Sequence, residues 1–510
     1  MAVATWVGGD GTGSEQTDYG RTANWSGGVV PDADDHVIVA NTGHNCKLDT
    51  NREAASLTIN SGATIDGSGG KLSIKSEGDS SEGTNHFAVN NDGRIVGHLD
   101  LEINTPATTS CDFAGESGHG KFRNVTINHA SCIVNLESTT QFTGNLTITL
   151  GKIVCGGNTV EITGNTRIGP TSGAADQATL QCDSSAMFLG SGKTDDYGLT
   201  VVKGGTFTGG TGNHTIGSIT MSNFDASKCT LTNGVTTING EDSGDNKAIN
   251  IGSASTFAHG NGTVKHTLNA NTTYIRTGGI IALNNFEQDN NSNLQVNPAL
   301  TCAGTFTLTA GEFDTSGSSY AVTVTGNAAI NGGTFNGNAS AISFGSLTIS
   351  GGEYSATSGT TTITSNTATG TRSVYNNGGT FTHNKGTLKI DTGANTNYDF
   401  DGDDLYNFTV ECEDGSGALT CDGEASTAVT VLNNLDIKMG VLRTNANSFT
   451  IHGNVFVRET SLTNKNKFVA QGANQTVKGL ITVEDGAFFD MQNQGSGSFG
   501  TLTTGGIRVL

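Results

Sequence analysis

The sequence predicts an all-β chain wound as a β-solenoid, and three observations carry that expectation. The first is a repeat. Asn145-Leu146-Thr147-Ile148-Thr149-Leu150-Gly151, with Val160-Glu161-Ile162-Thr163-Gly164-Asn165 after it, returns as Asn434-Leu435-Asp436-Ile437-Lys438-Met439-Gly440 and Phe449-Thr450-Ile451-His452-Gly453-Asn454. The second glycine follows the first by thirteen residues in both copies, although most side chains between them differ. The second observation is alternation. Leu57-Thr58-Ile59, Val125-Thr126-Ile127, Leu199-Thr200-Val201, Leu347-Thr348-Ile349 and Phe408-Thr409-Val410 are each apolar, polar, apolar, a period that serves a half-buried strand and not a helix. The third is composition: 73 glycines and 4 prolines among 510 residues fit many tight corners between short strands. A strand of about four residues buries too little alone, so such units must stack to build a continuous core.

Taken in order, residues 1–45 hold both tryptophans, Trp6 and Trp25, and read as an N-terminal cap or attachment segment. A solenoid end exposes unpaired backbone and apolar side chains, which bulky aromatics cover; the other reading of Trp6 and Trp25 is an interface anchor. Residues 46–510 read as the solenoid, in irregular turns of about 20–27 residues. A third copy of the repeat, Phe306 to Gly311 with Val322 to Asn327, carries two extra residues between Gly311 and Gly326, which marks a loop there. From 300 to 390 the corners Gly332-Gly333-Thr334-Phe335, Gly351-Gly352-Glu353-Tyr354 and Gly378-Gly379-Thr380-Phe381 each place an aromatic after the turn. These rings are expected to stack inward; displayed outward they would make a carbohydrate platform. The stretch from 391 is acidic and ends on Gly506-Ile507-Arg508-Val509-Leu510, a bare strand whose edge is expected to be covered by another chain.

A net charge of −21, from 26 basic and 47 acidic residues with no lysine or arginine run, argues against nucleic-acid binding. No apolar run of eighteen residues offers a membrane span. The start, Met1 to Asp10, lacks the basic and apolar segments of a secretory signal. Nine cysteines without a Cys-x-x-Cys pair suggest neither a zinc site nor a disulfide framework. Cys111, Cys132, Cys155 and Cys182 are spaced close to one solenoid turn, as buried, stacked thiols would be.

Candidate sites are few. Asn397, Asp399, Asp401 and Asp403, with Gly402 sixth in the stretch, match the first half of a calcium loop. The twelfth position is Phe408, which excludes an EF-hand and leaves a calcium ion on a β-turn against a solvated acidic corner. Calcium is the one cofactor suggested. Asp34-Asp35, Asp195-Asp196, Glu411 with Glu413-Asp414, and Glu484-Asp485 are acidic groups of the kind that solenoid glycosidases and lyases use in pairs. No nucleophile elbow is present, and Gly8 to Gly13 lacks the lysine that would make it a phosphate loop. No catalytic residue is assigned.

The Asn-Leu-Thr-Ile strand unit, its trailing Gly-Asn, and the opening Asn24-Trp25-Ser26-Gly27-Gly28-Val29-Val30-Pro31 resemble the β-helical proteins of phage genomes and bacterial repeat adhesins. The resemblance implies a right-handed parallel β-helix, and a non-enzymatic virion component such as a tailspike, fibre or capsid decoration that contacts the host surface. It further implies a homotrimer located on the virion, with other virion proteins and host surface glycan as partners. The alternatives are a tailspike polysaccharide depolymerase and a secreted, filament-forming surface adhesin. The same coil serves all of these, so the resemblance transfers no catalytic residue.

Overall fold

The computed structural model describes residues 2–9, 13–67, 69–77, 87–117, 121–170, 178–190, 198–221, 226–242, 246–270, 272–297, 299–315, 317–412, 420–423, 428–445, 447–459, 466–471, 474–492 and 500–510. Among them there is no α-helix; two short 3-10 turns, Gly13–Thr17 and Thr22–Asn24, are the helical content. The chain divides into two compact units, Met1–Thr263 and Val264–Leu510. Both are built from short strands paired in parallel, each strand lying beside the equivalent strand of the next turn.

In the first unit one column of strands runs from Ala2–Trp6 through Asp35–Val39, Ser56–Ile59, Phe87–Asn91 and Thr108–Asp112. A second column aligns Ile74, Ile103, Ile127, Ile148 and Ile168 in register, every one of them buried. The first four of those isoleucines are the third residues of apolar, polar, apolar units, and Ile168 closes Thr166-Arg167-Ile168. Alternation sends them inward, and β-branching suits them to the pleated surface. The strand Ala2–Trp6 is already part of this ladder, because it pairs in parallel with Asp35–Val39. Turn length also varies more than the repeat suggests: Ile168 and its partner Val201 are 33 residues apart in the chain. The ladder constrains only the strands, so loops between them are free to grow.

The second unit repeats the plan. Leu300, Val322, Ile342, Thr361 and Leu388 succeed one another in one inward column. The two extra residues between Gly311 and Gly326 fall in the connection between the strands Phe306–Asp314 and Val322–Ile330. Phe313, Phe335, Tyr354 and Phe381 stack inward, with ring centroids 5.1, 5.4 and 5.7 Å apart along the series. That aromatic column is core and displays nothing to solvent.

Two devices hold the turns in register. Asn145 Oδ1 accepts from the Asn165 backbone N–H at 2.8 Å, and Asn124 Oδ1 accepts from that of Asn145 at 2.9 Å. In the second unit Asn434 and Asn454 do the same for Asn454 and Leu480, each at 2.9 Å. The repeated asparagine thus closes backbone donors at a corner where the strand ladder cannot. The glycine before it is needed for close approach: a Cβ on Gly164 would lie 2.3 Å from Asn145 Oδ1 and 2.6 Å from the Gly144 carbonyl oxygen.

Candidate functional site

Trp6 and Trp25 lie inside the N-terminal turn, both buried. Their rings meet edge to face at 5.2 Å, and Tyr19 packs against Trp25 at 4.7 Å. The Trp6 indole N–H donates to the His44 carbonyl at 3.2 Å and that of Trp25 to the Tyr19 carbonyl at 2.8 Å. Both indoles are buried and have their N–H groups satisfied, so the rings pack as part of the core of this turn.

The acidic corner takes a different form from a calcium loop. Asp399 Oδ1 accepts from the Asp401 N–H at 3.1 Å, and Asp401 Oδ2 accepts from the Gly378 N–H at 3.1 Å. Asp403 Oδ2 accepts from the Phe381 N–H at 2.7 Å and from the Asn376 amide at 2.6 Å. Asn397 sits on the strand Thr396–Asp399, opposite Arg372 and Asp422. The Asp401 and Asp403 carboxylates are turned toward the preceding turn, whose amides compensate their charge, while Asp399 accepts within its own corner. Among the described residues no three His, Cys, Asp or Glu side chains converge to hold a metal ion. Burial raises the Asp403 carboxyl above its usual range, against the lowering by those two hydrogen bonds and with a further rise from Asp401 and Asp404.

A charged face of the second unit lies on the strands Thr387–Ile390, Asn407–Glu411, Leu435–Met439, Val455–Val457 and Gln475–Val483. Lys389, Thr409, Asp436, Phe456 and Thr482 follow one another in register there. Lys389 pairs with Asp391 at 2.7 Å and also with Glu411, which Lys438 approaches at 3.4 Å. Arg458 joins Asp436 at 2.8 Å to Glu484 at 3.1 Å, and its guanidinium lies 4.4 Å from the Phe456 ring centroid. Burial pushes Glu411 up, but the hydrogen bond and charge of Lys389, with Lys438, outweigh it and hold the carboxyl below its ordinary value. Glu484 is held low by the Glu459 N–H, against a rise from burial and with help from Arg458. Such groups stay ionised at neutral pH, whereas a general acid must keep its proton there.

No family model, curated protein or solved structure matches this chain. Its chemistry has to be read from its own residues.

Of the other sequence candidates, Asp195, Asp196, Glu413, Asp414 and the Asp10 to Thr12 part of the glycine-rich loop lie outside the described residues. Asp34 and Asp35 belong to a turn in which the Asp34 N–H donates to Asp32 Oδ1 at 3.0 Å and the Asp32 N–H to Asp35 Oδ2 at 3.2 Å. Cys111, Cys132, Cys155 and Cys182 are free and buried, as their spacing predicts. Burial raises the Cys182 thiol well above its usual value, with the adjacent Cys155 thiol adding to the rise. One feature had no place among the sequence candidates. Phe188 stands outward between inward Met187 and Leu189, 39% exposed, in register with exposed Glu161 on the preceding turn. Alternation through Met187-Phe188-Leu189 was the signal that could have found it.

Proposed function

We propose that this chain is a non-enzymatic structural protein: a right-handed β-solenoid displayed on a phage virion as tailspike, fibre or capsid decoration. The observation that supports the structural half of this reading is the fate of its outward carboxylates. Asp436, Glu411 and Glu484 are tied to cations of neighbouring turns, and Asp401 and Asp403 to backbone amides. Side chains committed to bracing successive turns serve persistence of the coil. The resemblance of the strand unit and of the Asn24 to Pro31 opening to phage β-helical proteins supports the virion half, with a trimeric assembly and contact with the host surface.

The test is immunogold electron microscopy of virions purified from the source material, using antibody raised against the folded chain. Gold at fixed positions on the particles is the expected result. Gold confined to cell surfaces or free filaments would replace this reading with the adhesin one. Release of reducing ends from host polysaccharide would replace it with the depolymerase.

A further inference from the structure

A row of outward side chains in the first unit carries an exposed aromatic ring. Gln141, Glu161, Phe188, Thr215 and Thr237 occupy equivalent positions on five successive turns. Adjacent members are therefore about 4.8 Å apart along the stack. Beside them lies a depression of ≈ 360 Å³ lined by Glu161, Ile162, Thr163 and Phe188, within the size range of small-ligand sites. Its floor is buried Ile162, while Glu161 and Thr163 are exposed. Gln141 Nε2 donates to Glu161 Oε2 at 3.0 Å, which orients the carboxylate across the strip.

The residue types at the depression are complementary to a sugar ring. A phenyl face offers an apolar platform to the C–H side of a pyranose, and a phenylalanine exposed here adds nothing to the core behind it. One turn away, Glu161 accepts from hydroxyl pairs, and the Thr163 hydroxyl both donates and accepts. The charge selects among saccharides. An acidic sugar would bring a second carboxylate toward Glu161 on a chain of net charge −21, and like charges at that range repel. We infer that the Glu161–Phe188 depression is a binding site for a neutral saccharide, one to three pyranose units long. This goes beyond the structural reading and does not depend on where the protein is displayed.

The test uses the full chain in isothermal titration calorimetry and saturation-transfer NMR. Neutral hexasaccharides of glucose, galactose, mannose and N-acetylglucosamine are compared with oligogalacturonate. At least one neutral oligomer binds, oligogalacturonate does not, and Phe188→Ala weakens binding about tenfold with an unchanged melting temperature. Absence of binding by all four neutral oligomers at 10 mM, or equal binding by wild type and Phe188→Ala, overturns the assignment. Preference for oligogalacturonate overturns its charge selectivity. Because the readout is solution binding, loss of the virion reading leaves this result standing, and its failure leaves the virion reading intact.

Discussion

His266 should make the second unit acid-labile by an amount that can be worked out. Its ring is buried, and Nδ1 lies 2.7 Å from the Asn290 amide nitrogen. The amide cannot be reversed: Asn290 Oδ1 already accepts from the Ser292 N–H at 2.9 Å and the Ser292 hydroxyl at 2.6 Å. Asn290 therefore presents N–H to Nδ1, which must be the unprotonated nitrogen. A second proton would set donor against donor in a buried site, and burial lowers the pKa from 6.5 to about 4. Between those values the unfolded chain binds a proton that the folded chain refuses, so stability falls as pH falls. The loss sets in as pH falls through the unfolded pKa, reaches about 2 kcal/mol at pH 5 and about 3 kcal/mol at pH 4, and levels off below that. A repeat array opens locally, so hydrogen exchange is the suitable assay. After correction for intrinsic rates, peptides from Asn285–Asn297 should lose about twentyfold of their protection between pH 7 and pH 5. In His266→Gln, which keeps an acceptor for Asn290, that slope should vanish. An equal slope in both proteins would refute the reasoning.

Four further outcomes are expected. Gly164→Ala places a methyl group 2.3 Å from Asn145 Oδ1 and should cost about 1–3 kcal/mol, read as a lower thermal midpoint in the first unit; an unchanged midpoint would show that the corner has room. Arg458→Met removes the link between Asp436 and Glu484; because Arg458 is 38% exposed, stability should change by under about 1 kcal/mol. The same variant should raise the Glu484 titration midpoint, measured by carboxyl carbon NMR, and an unmoved midpoint would assign the whole effect to the Glu459 N–H. Millimolar calcium should leave the melting temperature unchanged, and a calcium-dependent rise would mean that Asp399, Asp401 and Asp403 give up their backbone partners to ligate the ion.

Much of the fold could be read because alternation is a local property. Leu146-Thr147-Ile148 already states which side chains face the core, and the column built from Ile148 agrees. The Gly-Asn pair was visible as a recurrence, but its purpose needs the neighbouring turn: Asn145 acts on Asn165, twenty residues on. The partners of the acidic corner were hidden for the same reason. Its spacing resembles a calcium loop when read along the chain, whereas its partners Gly378, Phe381 and Asn376 lie one turn back. Polar inward residues such as His266 and Gln288 break the pattern without announcing what they meet. Phe188 could be placed outward by alternation, but nothing local indicates that Glu161 stands beside it.

The asparagine ladder has a consequence for how the chain finds its structure. Each corner asks only for a donor from the next turn, and any turn of the same make supplies one. A strand that slipped by a whole turn would find its amides satisfied and its isoleucines aligned. The stack is thus nearly degenerate toward misthreading, and fidelity rests on the irregular places. The paired tryptophans, the buried His266–Asn290 contact and the unequal loops are the landmarks by which one turn is told from another, so regularising them would stabilise each turn while blurring the address of all.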